Sequence, residues 1–418
     1  MARIVLATTG SFGDLHPMIA LAIELRKRGH SCLIASWEGY REKVTDLGFE
    51  FHRLRPDADP TDRELIRKTM DASKGTEMVI KEIIFPSLPD MYADLRSACE
   101  GADVVITGEL VYAVASVVEK TGIKWISTSL APISMFSFED LSLAPGFQWM
   151  EMLRPMPAFI NRALFSLLRM TISDWYEPYK AFRQDIGLSI DHDPIFDNKF
   201  SKLLHLSMFS KALGRPQADW PTSTLQSGFC FYDGSESGDL DDELSLFLES
   251  GEPPIVFTLG TAAVLDAGNF FDESAKAAKQ LGRRALLLYG RDNETPKGLN
   301  ENIVAFPYAP YSQVFPNAAC VVHQGGVGTT AQVLRAGVPH LIMPYSHDQP
   351  DNAARCRRAG VAEIISRDNY NANSSAKALE QILADPKYRE SAANLKGLVR
   401  SENGTETACD AIELILRK

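Results

Sequence analysis

The sequence predicts an α/β protein made of two Rossmann-like units, and three observations carry this. Short continuous apolar runs recur along the chain, among them RIVLA at 3–7, IVFT at 255–258 and RALLL at 284–288. That is the composition of parallel strands buried on both faces. Helical patterns separate the runs and stop at glycine, as from Pro17 to Arg28 before Gly29 and over 39–47 before Gly48; proline just inside a helix start and glycine just past its end is the expected asymmetry. A chain of 418 residues is also long for one core and suits two domains of about 200 residues.

In chain order, strands at 3–7, 31–35 and 50–54 give a βαβαβ rhythm, which places ligands at the strand C-termini, near Gly10 to His16. Residues 57–75, with the polar cluster DADPTD, are expected to loop out. A helical stretch to Glu100 and a strand at 103–107 follow, and 203–207 is read as the last strand of a first domain spanning 1–213. The Pro/Gly/polar string GRPQADWPTSTL opens a linker over 214–238 that leads into the second domain. That domain, 239–395, repeats the pattern with helices at 240–250 and 269–281 and strands at 255–258, 284–288, 303–306, 320–322 and 340–343. The segment 386–418 reads as helical.

Composition excludes several classes. With 45% hydrophobic and 23% charged residues the chain is an ordinary globular one, and a net charge of −11 with no basic face argues against a nucleic-acid partner. The six cysteines are scattered without a CxxC pair, so they are expected as buried free thiols in a reducing compartment. No spacing suggests a metal site. No apolar run reaches the ~18 residues of a membrane span, and the N-terminus enters a strand directly, so a cytoplasmic location is expected.

The chemistry concentrates in 320–352, CVVHQGGVGTTAQVLRAGVPHLIMPYSHDQPDN. A strand runs into Gly325, Gly326 and Gly328, and a helical pattern continues to Gly337. Glycines let a ligand approach the backbone, and the first-turn amides of a helix are free to face an anion. Thr329 and Thr330 add hydroxyl donors, and His323 or Gln324 adds a side-chain donor at the strand end. Such a pocket suits a diphosphate, although the glycines alone are equally those of a connecting turn. Past the strand at 340–343, Asp348 and Gln349 offer an acceptor and donors for sugar hydroxyls; a helix N-cap at Asp348 is the structural alternative.

The two-part segment resembles the donor-binding signature of family-1 glycosyltransferases, which take sugars from UDP- or dTDP-sugars. The resemblance implies the GT-B fold: two Rossmann-like domains with parallel sheets facing each other across a cleft, and a last helix, 396–418, packing back toward the first domain. Counting back from Gly337-Val338-Pro339 puts Gln324 at the family's pyrophosphate-binding His and Gln332 at the ribose-binding Glu of plant members. Asp348, Gln349 and Asn352 match the sugar-hydroxyl end. Gly260 and Thr261, in TLGTA, match a loop that touches the donor near the reacting sugar, unless they form only a tight turn. Tyr308 and Ala309 stand where plant members carry a Trp-Ala-Pro-Gln string at the nucleobase, and Tyr311 replaces its Gln. Phrases such as ADWPTSTLQSGF and HQGGVGTT look closest to bacterial members acting on lipids, sterols or polyketides, including the rhamnosyltransferase catalytic chain of rhamnolipid synthesis.

In the first loop, similar sequences carry GHxxP or GDxxP; GDLHP here puts Asp14 in the role of catalytic base by position, with His16 as second candidate. A carboxylate would take the acceptor's proton only as the new bond forms, a contribution of about 10²–10⁴-fold. Capping of a helix is the alternative role for Asp14. Members that use His orient it with an Asp just after the fourth strand, where this chain has Gly108 and Glu109. The segment 128–179 is dense in Phe, Met, Leu and Trp. Met135, Phe136, Phe138, Phe147, Trp149 and Met150, together with Phe12, are expected to line an apolar acceptor cleft; core packing and a membrane-surface helix are the other readings.

The sequence is thus expected to encode an inverting, metal-independent transferase without a cofactor. It would move a hexose from UDP-glucose to a hydroxyl of a lipophilic acceptor. A dTDP-rhamnose-dependent rhamnosyltransferase acting on a hydroxy-fatty acid or polyketide is the alternative. A non-catalytic nucleotide-sugar or lipid-binding homologue and a sugar-nucleotide epimerase are the lesser readings.

Overall fold

Buried apolar runs set the architecture. In the computed structural model, which describes residues 1–59, 61–190, 193–234 and 240–417, the strands gather into two sheets. The first consists of β1 (Arg3–Ala7), β2 (Ser31–Ser36), β3 (Glu50–Arg53), β4 (Val104–Thr107), β5 (Lys124–Ser129), β6 (Leu204–Ser207) and β7 (Thr224–Gln226), in the order β3-β2-β1-β4-β5-β6-β7. The second consists of β8 (Ile255–Thr258), β9 (Ala285–Leu288), β10 (Ile303–Phe306), β11 (Cys320–His323), β12 (His340–Ile342) and β13 (Ala362–Ile364), in the order β10-β9-β8-β11-β12-β13. Every pairing between these strands is parallel. In both sheets the order reverses beside a central strand, and there the loops after β1 and β11 open.

Seven helices matter for the site: α1 (Phe12–Lys27), α2 (Arg63–Thr69), α3 (Ala158–Thr171), α4 (Val327–Ala336), α5 (Gln349–Arg358), α6 (Pro386–Ser401) and α7 (Gly404–Arg417). α1 begins five residues before the expected Pro17, because Ser11 caps it and accepts from the Gly13 amide at 3.1 Å. β5, KWISTS, has a weak apolar signal, yet its hydroxyls find partners: Thr128 donates to the Thr107 carbonyl at 3.0 Å and Ser127 pairs with His205 Nδ1 at 2.8 Å. β7 lies inside the segment expected as linker, so the first sheet extends to Gln226. The expected boundary at 238/239 lies outside the described residues.

Residues 62–75 do not loop out as expected. Asp62 caps α2, accepting from the Glu64 and Leu65 amides at 2.9 and 3.0 Å. Ile66 is buried among second-domain residues such as Phe271 and Leu265. Arg63 reaches the carbonyls of Leu265 and Asp292, and Ser346 donates to the Asp71 carbonyl at 2.9 Å.

A second bridge joins the 140–154 segment to α5. Arg355, nearly fully buried, pairs with Asp140 and, at 2.7 Å, with the fully buried Asp351, whose other oxygen accepts the Leu143 amide at 3.0 Å.

The helical C-terminal segment breaks at Asn403, where φ is +48°. α7 then crosses to the first domain, burying Ala408, Cys409, Ile412 and Ile415 against α1 residues such as Leu21 and Leu25. Arg28 pairs with Asp410 at 2.6 Å across this contact. All six cysteines are buried and unpaired, and among the described residues no helix is long and apolar enough to cross a membrane.

Candidate active site

β11 ends on His323, and the turn that follows is built around Gly325, φ +91°. A Cβ there would come within 2.9 Å of the Ile342 side chain and 3.1 Å of the Gln349 carbonyl, so only glycine fits. The Val327 amide, first in α4, donates to Asp348 Oδ2 at 3.0 Å. Asp348 therefore caps α4, although by position it stands at the start of α5, where its side chain makes no capping bond. The next first-turn amides, Gly328 and Thr329, have no partner among the described residues. The buried Thr330 hydroxyl and Gln324 Oε1 are likewise unpartnered, and the Gln324 amide lies against Gly260 (φ +67°), where a Cβ would collide with it. Thr261 is exposed beyond it.

Three expected donor contacts are corrected. His323 is fully buried: its Nδ1 accepts from the Gly325 amide at 3.0 Å and its Nε2 faces His340 Nδ1 at 3.0 Å. Burial pushes its pKa down to about 3, so the ring is neutral with its proton on Nε2 and braces the loop from behind. Asn352, also fully buried, spends its amide on Asp348 Oδ2 (2.7 Å) and the Gly325 carbonyl (2.9 Å), tying the two parts of the site together. Ala309 is packed into the second-domain core. Gln349 is buried, with Oε1 accepting from the Tyr345 amide at 2.8 Å. Tyr308 is exposed with Arg291 over its ring, and Tyr311 is tied to Thr258 at 2.8 Å. Gln332 donates to Asp233 at 3.0 Å.

Across the cleft, Asp14 is the third residue of α1, and its Oδ2 accepts from the Ser11 amide at 2.8 Å and the Ser11 hydroxyl at 3.2 Å. It closes a capping box with Ser11, so the capping reading holds structurally without removing the carboxylate from the cleft. Burial pushes its pKa up to about 7, aided by the charges of Glu109 and Asp348 and opposed by the Ser11 bonds. Burial likewise raises Asp348 to about 6. His16 stands between the rings of Phe12 and Tyr232, each centroid 5.2 Å away, and burial with Lys43 nearby lowers it to about 4. The position a Gly328 Cβ would occupy is 4.0 Å from Gly13 Cα, so the N-termini of α1 and α4 face each other.

The expected acceptor wall divides. Met135 is core: it is buried beside Phe209 and Ile342, and its sulfur accepts from Ser207 at 3.4 Å. Phe136 packs on Phe196 and Phe165 at 4.8 and 5.6 Å, and Phe138 on Phe165 at 5.3 Å. Phe12 joins the first-domain core against Tyr40, 4.9 Å away. Phe147 and Trp149 are exposed and Met150 half-buried, continuous in sequence with the exposed Met152, Met156 and, on α3, Phe159, Leu167 and Met170.

Residues 4–132 match the glycosyltransferase family 28 N-terminal domain, and residues 286–414 match the erythromycin biosynthesis protein CIII-like C-terminal domain. An O-mycaminosyltylonolide 6-deoxyallosyltransferase of Streptomyces fradiae is 32% identical over 431 residues, covering 98% of this chain and 97% of that one. The chain belongs to the GT-B glycosyltransferases. A sterol 3-beta-glucosyltransferase of Neurospora crassa is 24% identical to the glycosyltransferase over 98% of its length, which is 27% of the fungal protein. Among solved structures, the glycosyltransferase superposes on the glycotransferase of kitacinnamycin with a TM-score of 0.76 at 22% identity, covering 99% of each chain. It superposes on the spinosyn rhamnosyltransferase SpnG complexed with thymidine diphosphate with a TM-score of 0.69 at 16% identity, covering 98% and 100%.

One residue of this glycosyltransferase gains a role that its sequence left open. Glu109, at the end of β4, accepts the Leu130 amide at 3.0 Å and lies 3.8 Å from the buried Lys199 ammonium. It is fixed as the negative neighbour that helps keep Asp14 basic. The signal in the sequence was its place after a strand, where ligand-facing loops begin.

Proposed function

We propose that the glycosyltransferase transfers a 6-deoxyhexose from a dTDP-sugar to a hydroxyl of a lipophilic polyketide-like acceptor, with inversion and without a metal. The single observation that carries this is the opposition of two helix N-termini, with Asp14 on one side and the free Gly328 and Thr329 amides beside Asp348 on the other. Those amides and the α4 dipole receive the diphosphate and stabilise its charge as it leaves. Asp14 accepts the acceptor's proton while the acceptor oxygen bonds to the sugar carbon and the bond to the diphosphate breaks. The 6-deoxyallosyl relative and the thymidine diphosphate bound by a structural neighbour support the deoxysugar and dTDP choice. UDP-glucose transfer to a sterol-like acceptor is the second reading, favoured by the sterol glucosyltransferase relative.

Purified protein is to be assayed with dTDP- and UDP-sugars, with and without acceptors, in the presence of EDTA. Acceptor-dependent donor consumption that survives the chelator and falls about 10²–10⁴-fold in Asp14→Asn is expected. Donor conversion without acceptor would indicate an epimerase, and full activity in Asp14→Asn would remove the base assignment.

A further inference from the structure

A cavity of about 160 Å³ lies at the edge of the second sheet away from the candidate active site. Ala319 and Pro339, each directly before the first residue of β11 and β12, form its floor, and Ile382 and Leu383 of the helix Ala372–Ala384 form an apolar wall. The opposite ends of the same two strands lead to the Gly325 loop and to Asp348. A volume of this order holds a benzene ring. The rim is charged: it carries Asp385, which caps α6, and Arg389, one turn into that helix. Opposite charges four residues apart on a helix normally meet, but these two do not. Asp385 Oδ1 is turned to the Lys387 amide at 3.0 Å, and Arg389 has no ion-pair or hydrogen-bond partner among the described residues. Burial raises the pKa of the Cys320 thiol and the charge of Arg389 works against it, so the guanidinium leans back toward the strand behind the cavity. The end of the helix Ala372–Ala384 adds acceptors. Pro386 has no N–H to give, and the carbonyls of Ile382, Leu383 and Ala384 have no partner among the described residues.

We propose that this cavity binds a free α-amino acid with an apolar side chain. The ammonium sits on Asp385 and the open carbonyls, the carboxylate on Arg389, and the side chain against Ile382 and Leu383. Each part of such a ligand meets one part of the site: a helix C-terminus favours a cation, and a guanidinium holds a carboxylate with two parallel donors. A simple carboxylic acid would face Asp385 and the carbonyls without a cation of its own, and a simple amine would leave Arg389 unanswered. The site uses none of the residues assigned to the donor or the acceptor, so it is a second binding site that stands apart from the transferase reading.

Saturation-transfer NMR on the full chain tests this with phenylalanine, 3-phenylpropanoate, phenethylamine and glycine, which lack in turn nothing, the ammonium, the carboxylate and the side chain. Phenylalanine is expected to saturate with a Kd on the order of 1 mM, and each of the other three to bind about tenfold or more weaker. Arg389→Gln weakens phenylalanine about tenfold without weakening phenethylamine. Asp385→Asn, which keeps a capping side chain, weakens phenylalanine about as much without weakening 3-phenylpropanoate. Excess UDP changes none of these values. The inference is overturned by a lack of saturation at on the order of 10 mM phenylalanine, by phenylalanine binding that either substitution leaves unchanged, or by displacement of phenylalanine with UDP.

Discussion

Asp14 and Asp348 are two carboxylates that burial keeps partly protonated near neutrality, about 7 and about 6. Only the ionised Asp14 can take a proton, so kcat/KM should rise with pH through about 7 along a one-proton limb, read from a pH–rate profile. The same shift has the opposite sign for stability. Between the ordinary carboxylate range and about 7 the folded protein keeps a proton that the unfolded chain has released, so stability falls as pH rises through that window. Asn at 14 can still accept the Ser11 amide but carries no charge, so inactive Asp14→Asn should melt higher than wild type at pH 8 by calorimetry. The place of Asp14 in the cleft was legible through the GDxxP string that its loop shares with similar sequences. His323 was not, because alternation along β11 and the Gly325 amide turn its ring inward, and neither is written in the local string.

At the scale of elements, α5 joins the two halves of the site. Its first residues lie beside Asp348, and its middle carries Asp351 and Arg355, locked to Asp140 and to the Leu143 amide of the first domain. Arg355→Ala would leave Asp140 and Asp351 to share Arg154, at 3.1 and 3.7 Å, in a buried contact, a loss of about 3 kcal/mol measurable by urea unfolding. Arg355→Met in an Asp140→Leu/Asp351→Leu/Arg154→Met background should recover most of it, because Arg154 is then replaced along with its partners. Helices and strands whose partners are local were readable: β1, β8, β9 and the glycine-ended α4 all follow from apolar runs and their stops. α2 was missed because its one buried apolar residue, Ile66, finds its core in the other domain, more than 180 residues away in sequence. β7 was missed because three half-buried residues at a sheet edge carry no periodicity.

For the whole molecule, two parallel sheets were foreseeable because strands covered on both faces must be apolar throughout. Of the bridges that hold the domains, the return of the last helix was expected from the resemblance, whereas those of α2 and α5 were not, since Arg63, Asp351 and Arg355 look like ordinary surface in the sequence. Removing residues from 404 onward uncovers Leu21, Leu25 and their neighbours and forfeits the burial of Ile412 and Ile415, about 3–6 kcal/mol from those two side chains alone. The shortened protein should aggregate or elute as a swollen species in size-exclusion chromatography.

The crossing of α7 also orders events at the ribosome. The first domain precedes the second along the chain, yet the outer face of α1 is completed only by residues 408–415. The strands of both sheets lie before residue 365, so every strand is made before the α1 seam can close. Synthesis that stalls before that stretch emerges should therefore release two sheets but no finished enzyme.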